Sequence, residues 1–324
     1  MLFRSAGYLD LKEAICYKFK RDNSLSYKPE NIVVSTGAKQ SLANAVLALV
    51  GEGDEVIIPT PFWVTYSELV KIARGKVVEI KTTTEQGFKM TAQQLEAAIT
   101  PKTKMFLFSS PCNPSGAFYN REELNALASI FKKHPGIFIL SDEIYEYINY
   151  VGHHQSIAQF AEIKDRVIVV NGLSKGFAMT GWRLGYIAAH ADIAKACEKV
   201  QGQFTSGANA MTQRAAITAL TSDLRPSMEM VKEFAARRKK VFELLDLLNC
   251  SFDKEQAGLF VWASIPSNYK DGYGLSDKVL HGSNVFITPG GIFGSAGNKF
   301  VRISLCATEQ KIEEAIQRVK TNTD

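Results

Sequence analysis

Lys175 and Arg183 stand eight residues apart in the stretch VVNGLSKGFAMTGWRLGY (169–186), just past an apolar run that stops at Asn171. Two cations this close repel unless an anion sits between them or one amine is covalently occupied. The apolar run reads as a buried strand, and open α/β sheets bind their ligands outside the carboxyl ends of such strands. Three other strand-like runs end in a similar way. STGAKQS follows residues 32–34, SSPCNPSG follows 105–108 and SDEIYEY follows 137–140. Four strand ends thus present a glycine turn opening a helix, an asparagine (Asn113), an aspartate with a tyrosine (Asp142, Tyr145) and the lysine.

Each signal has an ordinary alternative. STGAKQS can be a plain helix cap, and its spacing fails the GxxxxGK[ST] pattern of a nucleotide-triphosphate loop. NPSG is good turn chemistry without any ligand. Asp142 ends an apolar run, where a carboxylate is costly unless paired or hydrogen-bonded. Lys175 could face solvent, although its neighbours are small and apolar. A serine–lysine hydrolase of the SxxK kind would need serine where Gly172 stands. His153 and His154 have no carboxylate at a matching spacing and read as surface loop histidines, so no metal site is expected.

One common chemistry employs all four strand ends. A lysine amine forms a Schiff base with the aldehyde of pyridoxal 5'-phosphate, and a carboxylate keeps the ring nitrogen protonated so that the ring draws electrons. A glycine-opened helix N-terminus and an arginine take the phosphate. Lys175 is then occupied and Arg183 faces the phosphate, so their closeness becomes an attraction through the ligand.

The elements that must hold these groups follow from the hydrophobic pattern. Apolar runs at 32–34, 56–58, 77–80, 105–108, 137–140, 167–170 and 184–188 read as strands buried on both sides. Between them lie helical segments such as REELNALASIFKK (121–133), with Leu124, Leu127, Ala128 and Phe131 on one face. Helical crossovers imply that most strands pair in parallel. From about residue 224 a long helical stretch leads into strands GLFVWASI and KFVRISLC and a closing helix at 309–319. The expected fold is an α/β unit, a mostly parallel sheet flanked by helices, over residues 1–235. A smaller α+β unit is expected over residues 236–324.

Bulk properties exclude other classes. At 324 residues with 46% hydrophobic content the chain can bury a large core. Thirty-eight Lys+Arg against 33 Asp+Glu leave a net charge of only +5, and RRKK (237–240) falls on a helical face, so no nucleic-acid partner is expected. Five cysteines at 16, 112, 197, 250 and 306 form no CxxC, which fits a reducing compartment. No apolar run approaches about 18 residues, so no membrane partner is expected. A cytoplasmic protein is the expectation.

The ordered series STGAKQ, PTPFWVTY, SSPCNPSG, SDEIYE and NGLSKGFAMTGWRLGY resembles the class I aminotransferases of pyridoxal-phosphate fold type I. The resemblance runs over nearly the whole chain and is closest to the bacterial aspartate aminotransferase branch. It implies that Lys175 holds the cofactor and shuttles the proton, that Asp142 pairs with the ring nitrogen, and that Tyr145 and Asn113 bond the cofactor's phenolic oxygen. It also implies that Trp63 stacks on the ring, and that the turn at Gly37, the amides of Ala38 and Lys39, Ser174 and Arg183 hold the phosphate. Arg302, in FVRISLC, matches the arginine that clamps the substrate carboxylate, beside Asn113 and Trp63. The implied reaction moves an amino group from an amino acid to a 2-oxo acid, with aspartate and 2-oxoglutarate as first choice, in a homodimer.

Two departures from the family pattern leave alternatives open. Relatives carry several dozen more residues before the position of Gly7, including a dimer-crossing arm and a tyrosine that reaches the neighbouring subunit's phosphate, where this chain has MLFRS. A weakened dimer, or a cofactor-binding fragment of low activity, is therefore a second expectation. The stretch from Ala257 to Cys306 is more similar to the diaminopimelate- and aromatic-type branches. Another amino-acid substrate, or elimination in place of transfer, stays open on that account.

Overall fold

The computed structural model of the chain describes residues 5–150 and 152–321. Its larger sheet has seven strands: β1 (Ile32–Ser35), β2 (Glu55–Thr60), β3 (Lys76–Lys81), β4 (Thr103–Ser109), β5 (Phe138–Asp142), β6 (Val167–Gly172) and β7 (Gly185–Ala188). They lie in the order β1-β7-β6-β5-β4-β2-β3. Neighbours are parallel except at β7, which runs antiparallel to both β1 and β6. The sheet is accompanied by helices α1 (Leu9–Asn23), α2 (Ala38–Leu49), α3 (Thr65–Ile72), α4 (Ala92–Ala98), α5 (Arg121–Lys133), α6 (Ala191–Phe204) and α7 (Ala210–Thr221).

The period-two alternation of a strand sorts its side chains between two cores. Phe106 and Phe108 of β4, with Val167 and Val169 of β6, pack against α1, α5 and α7. Met105, Leu107, Ile168 and Val170 pack on the other face against α2, α3 and α6. Both faces of the central strands are covered, which is why their sequences are continuous apolar runs. A polar residue at the end of such a strand is then an exception that needs a physical reason.

Helix α5 shows how local sequence fixes an element. Asn120 caps it by accepting from the Glu123 amide at 2.9 Å, and Glu123 returns a bond to the Asn120 amide at 2.8 Å. Leu124, Leu127, Ala128 and Phe131 are its buried face, as the spacing predicts.

A long helix, α8 (Arg225–Leu247), leads to a four-stranded antiparallel sheet. The sheet comprises β8 (Ser251–Phe252), β9 (Phe260–Ser264), β10 (Thr288–Pro289) and β11 (Phe300–Ser304). Helices α9 (Gly272–Ser283) and α10 (Glu309–Thr321) pack with it. A third core joins Val261, Val301 and Ile303 of this sheet to Ile312 and Ile316 of α10, and also takes in Ile144 and Tyr145 from the turn after β5. The strand end that carries Asp142 is thereby packed against the smaller sheet.

Several expectations are revised. The run at 77–80 is not buried on both sides. It forms β3 at the sheet edge, where Lys76, Glu79 and Lys81 face solvent. The strand expected at 137–140 runs on to Asp142, so that carboxylate is the last residue of β5 itself. Most of the stretch expected to replace the family's tyrosine, residues 1–4, lies outside the described residues. No helix of the described residues is long and apolar enough to cross a membrane.

Candidate active site

Every residue singled out in the sequence for the cofactor or substrate, except Gly37, lines one cavity of about 370 Å³. Groups that are up to 264 positions apart, from Ala38 to Arg302, meet there because five strand ends of the large sheet (β1, β2, β4, β5 and β6) and two strands of the small sheet (β9 and β11) converge.

Asp142 is 2% exposed. Its Oδ2 accepts from the Tyr66 hydroxyl at 2.7 Å and its Oδ1 from the Ile144 amide at 3.2 Å. Burial pushes the carboxyl up to about 6 from its ordinary 3.8, even though both hydrogen bonds pull the other way. No described cation forms an ion pair with it. A buried carboxylate in that condition favours any cation that enters the cavity.

Lys175 follows β6 and is half-buried, its ammonium 5.9 Å from the centre of the Tyr145 ring. Burial pushes its pKa down, and the positive charges of Arg183 and Arg302 act the same way, against Cys306 and Asp142. A larger neutral fraction makes it a better nucleophile and base than an exposed lysine. Arg183 is held by its Nη1–H donating to the Thr180 carbonyl at 2.9 Å, while the Thr180 hydroxyl donates to the Ser174 carbonyl at 2.7 Å. These two bonds close the segment that follows Lys175 into a compact turn.

The guanidinium of Arg183 lies against the start of α2. Gly37, the N-cap of that helix, has φ +87° and supplies no side-chain cap. A Cβ there would come 2.3 Å from Arg183 Nη2. Only glycine leaves this cradle open, and the N-terminus of α2 adds its positive potential to that of Arg183. The sequence places Gly37 in the site, and it contributes by being absent from the cavity wall.

On the opposite side, Arg302 of β11 donates through Nη1 to Asn113 Oδ1 at 2.8 Å. Its guanidinium carbon lies 4.0 Å from the centre of the Phe260 ring and 4.6 Å from that of Phe293. Its Nε is buried without a hydrogen-bond partner, and among the described residues no carboxylate pairs with it. A desolvated guanidinium with free donors is a carboxylate receptor. Trp63 packs edge-on against Tyr66 at 5.8 Å, and the ammonium of Lys39 lies 4.9 Å from the centre of the Trp63 ring.

The donor set fits pyridoxal 5'-phosphate. The open helix start with Arg183 and Ser174 suits the phosphate, unpaired Asp142 suits a ring cation, and Lys175 offers the amine. Three contributors were not read from the sequence. Tyr66 arrives from α3, where a buried tyrosine on an amphipathic helix looks like core. Phe260 and Phe293 flank Arg302 from an apolar strand and a glycine-rich turn, neither of which marks a site. His154 is a correction, because its side chain is 6% exposed and its Nε2 lies 2.9 Å from Glu143 Oε2, in place of the expected surface position.

Comparison with known proteins bears on the chain as a whole. Residues 2–319 match the family described as aminotransferase class I and II. An aspartate aminotransferase of Bacillus sp. is 42% identical over 323 residues, covering 97% of this chain and 82% of that protein. An aspartate/prephenate aminotransferase of Nitrosomonas europaea is 40% identical over 328 residues, 97% of this chain and 82% of that one. The crystal structure of an aromatic aminotransferase from Pyrococcus horikoshii superposes with a TM-score of 0.94 at 35% identity, over 98% of this chain and 85% of that chain.

Proposed function

Because this chain belongs to the class I and II aminotransferases, which use pyridoxal phosphate, we propose that it binds that cofactor and moves an amino group between aspartate and 2-oxoglutarate. The observation that carries the reading is a single cavity in which Asp142, Lys175 and Arg302 each form no ion pair among the described residues. Three unpaired charges at one place are costly in an isolated chain. They are accounted for together by a cationic ring, an aldehyde and a carboxylate.

When bound, pyridoxal phosphate supplies the aldehyde that takes the substrate amine and the ring that spreads the charge left when Cα loses its proton. Arg302 binds the α-carboxylate as a planar fork, held in plane by Asn113 and the Phe260 ring. Lys175, with its pKa lowered by burial, takes the proton from the substrate Cα and returns one. Asp142, oriented by Tyr66, holds the proton on the ring nitrogen. The Tyr145 phenol is pushed up by burial, stays protonated and serves as a donor. Arg183, Ser174 and the start of α2 hold the phosphate.

Aspartate and 2-oxoglutarate each carry a second carboxylate, and Lys39 is a further described cation of the cavity that lacks a carboxylate partner. The names of the relatives, aspartate and aspartate/prephenate aminotransferase, support the same choice. The test is a half-reaction. The chain loaded with pyridoxal phosphate should lose its visible absorption band on adding aspartate and regain it with 2-oxoglutarate. A band that aspartate leaves unchanged while an aromatic amino acid bleaches it would replace the substrate, and a band that no amino acid bleaches would end the transaminase reading.

A further inference from the structure

Beneath the turn that carries Lys175 lies a buried charged cluster with no part in the chemistry above. Lys18, on the inner face of α1, is 0% exposed. Its ammonium pairs with Glu146 Oε1 and donates to Asn23 Oδ1 at 2.7 Å, with the Phe19 and Tyr147 ring centres 4.8 and 5.3 Å away. Glu146 also accepts from Asn23 Nδ2 through Oε2 and from Asn171 Nδ2 through Oε1, both at 2.9 Å. Asn171 Oδ1 in turn accepts the Gly172 amide at 2.7 Å.

The sequence positions of these groups give the cluster its meaning. Glu146 is four residues past Asp142, and Asn171 is four before Lys175. A single carboxylate therefore bridges the turn after β5 and the end of β6. A second route reaches the far side of the same turn. A Cβ at Gly176 would lie 2.5 Å from the Tyr147 ring, so the backbone just after Lys175 rests on that ring. The Tyr147 hydroxyl donates to Asp22, beside Asn23.

Stability alone gives a weak reason for such a pair, since well-packed apolar residues commonly replace a buried ion pair at no loss or with a gain. A metal does not account for it either. Glu143, Glu146 and His154 come within 4.8 Å of one another, but Glu146 is taken by Lys18, and Glu143 by His154, Ser141 and Ser156. A fully satisfied polar network fixes one geometry.

We propose that Lys18 and Glu146 are positioning residues that hold the Lys175 turn at a fixed offset from Asp142. The inference rests on Lys175 being the amine that holds the cofactor. A displacement of about 1 Å at a reacting group can cost about 10²-fold in rate.

The test compares Lys18→Met and Asn171→Ala with Ser156→Ala. Ser156 donates to Glu143 Oε1 at 2.7 Å in the same buried region but leads to neither Asn171 nor Tyr147. In Lys18→Met, kcat for aspartate should fall about 10²-fold with KM changed about twofold or less. In the cofactor-free proteins, amide exchange across residues 172–176 should rise about tenfold or more. Competitive amine labelling of Lys175, referenced to exposed Lys195, should shift in both variants and stay unchanged in Ser156→Ala. Unchanged exchange and labelling in Lys18→Met and Asn171→Ala, or a loss of kcat matched by Ser156→Ala, would overturn the proposal. If Lys18→Met does not fold, Asn171→Ala, which keeps the ion pair, decides alone. Exchange and labelling need no cofactor, so they still read the position of Lys175 if the transaminase reading fails.

Discussion

Replacing Asp142 by asparagine should make the cofactor-free chain more stable while it disables the enzyme. The carboxyl is pushed up by burial to about 6 from 3.8. Between those values the folded chain binds more protons than the unfolded one, so stability falls as pH rises through that window. Above about pH 6 the full penalty is present. At about 1.4 kcal/mol per pH unit, it amounts to about 3 kcal/mol. The Asp142→Asn side chain would keep an oxygen acceptor for Ile144 or Tyr66 and carry no charge, so the penalty disappears. Thermal unfolding at pH 7.5 without cofactor should show the variant melting on the order of 5 °C higher. By pH 4 most of the difference should be gone, because the folded Asp142 is then neutral, and it should vanish below 3.8, where the unfolded side chain is neutral as well. Added pyridoxal phosphate should stabilise the wild type by linkage and the variant much less. Turnover in the variant should fall about 10²–10³-fold, the usual effect of removing one well-placed electrostatic stabiliser. A variant that is less stable than wild type at pH 7.5, with no change in the difference down to pH 4, would refute the idea that this carboxylate awaits a cation.

Arg302→Lys should raise KM for aspartate and lower kcat/KM by about tenfold or more in steady-state assays, because one ammonium cannot reproduce the fork that Asn113 and Phe260 hold in plane. Gly37→Ala forces an alanine into φ +87° and pushes Arg183 Nη2 aside. Loss of one hydrogen bond to a charged group, about 1.5–3 kcal/mol, should weaken pyridoxal phosphate binding by about 10–100-fold in a fluorescence titration. Lys39→Met should cut kcat/KM for aspartate about tenfold and leave an aromatic amino acid unaffected, which a competition assay between the two would read directly.

The large sheet and most of the cavity were legible because each polar group ends a run of apolar residues, and such a run has few folds open to it. Asn113, Asp142 and Lys175 needed only that rule. Tyr66 escaped it because it reaches Asp142 across 76 positions from a helix whose pattern is satisfied by packing alone. Lys18 sits in KEAICYKFKRDN, where a lysine among charged neighbours reads as solvent-facing, and only tertiary contact shows its partner Glu146. Strands β8 and β10 have two residues each, too short for a period to show. Edge strand β3 carries the same apolar residues as a central strand, and its lysines become informative only once its place in the sheet is known. The bond from Arg302 to Asn113 joins the small sheet to the loop after β4 over 189 positions and has no local signature.

The proposed chemistry depends most directly on the amine that carries the cofactor. Borohydride reduction of the chain incubated with pyridoxal phosphate, followed by peptide mapping, locates that amine. One pyridoxyl group per chain is expected, on Lys175 within the peptide that follows β6. A label on Lys39, the other lysine of the cavity, or one scattered over exposed lysines with Lys175 unmodified, would contradict it.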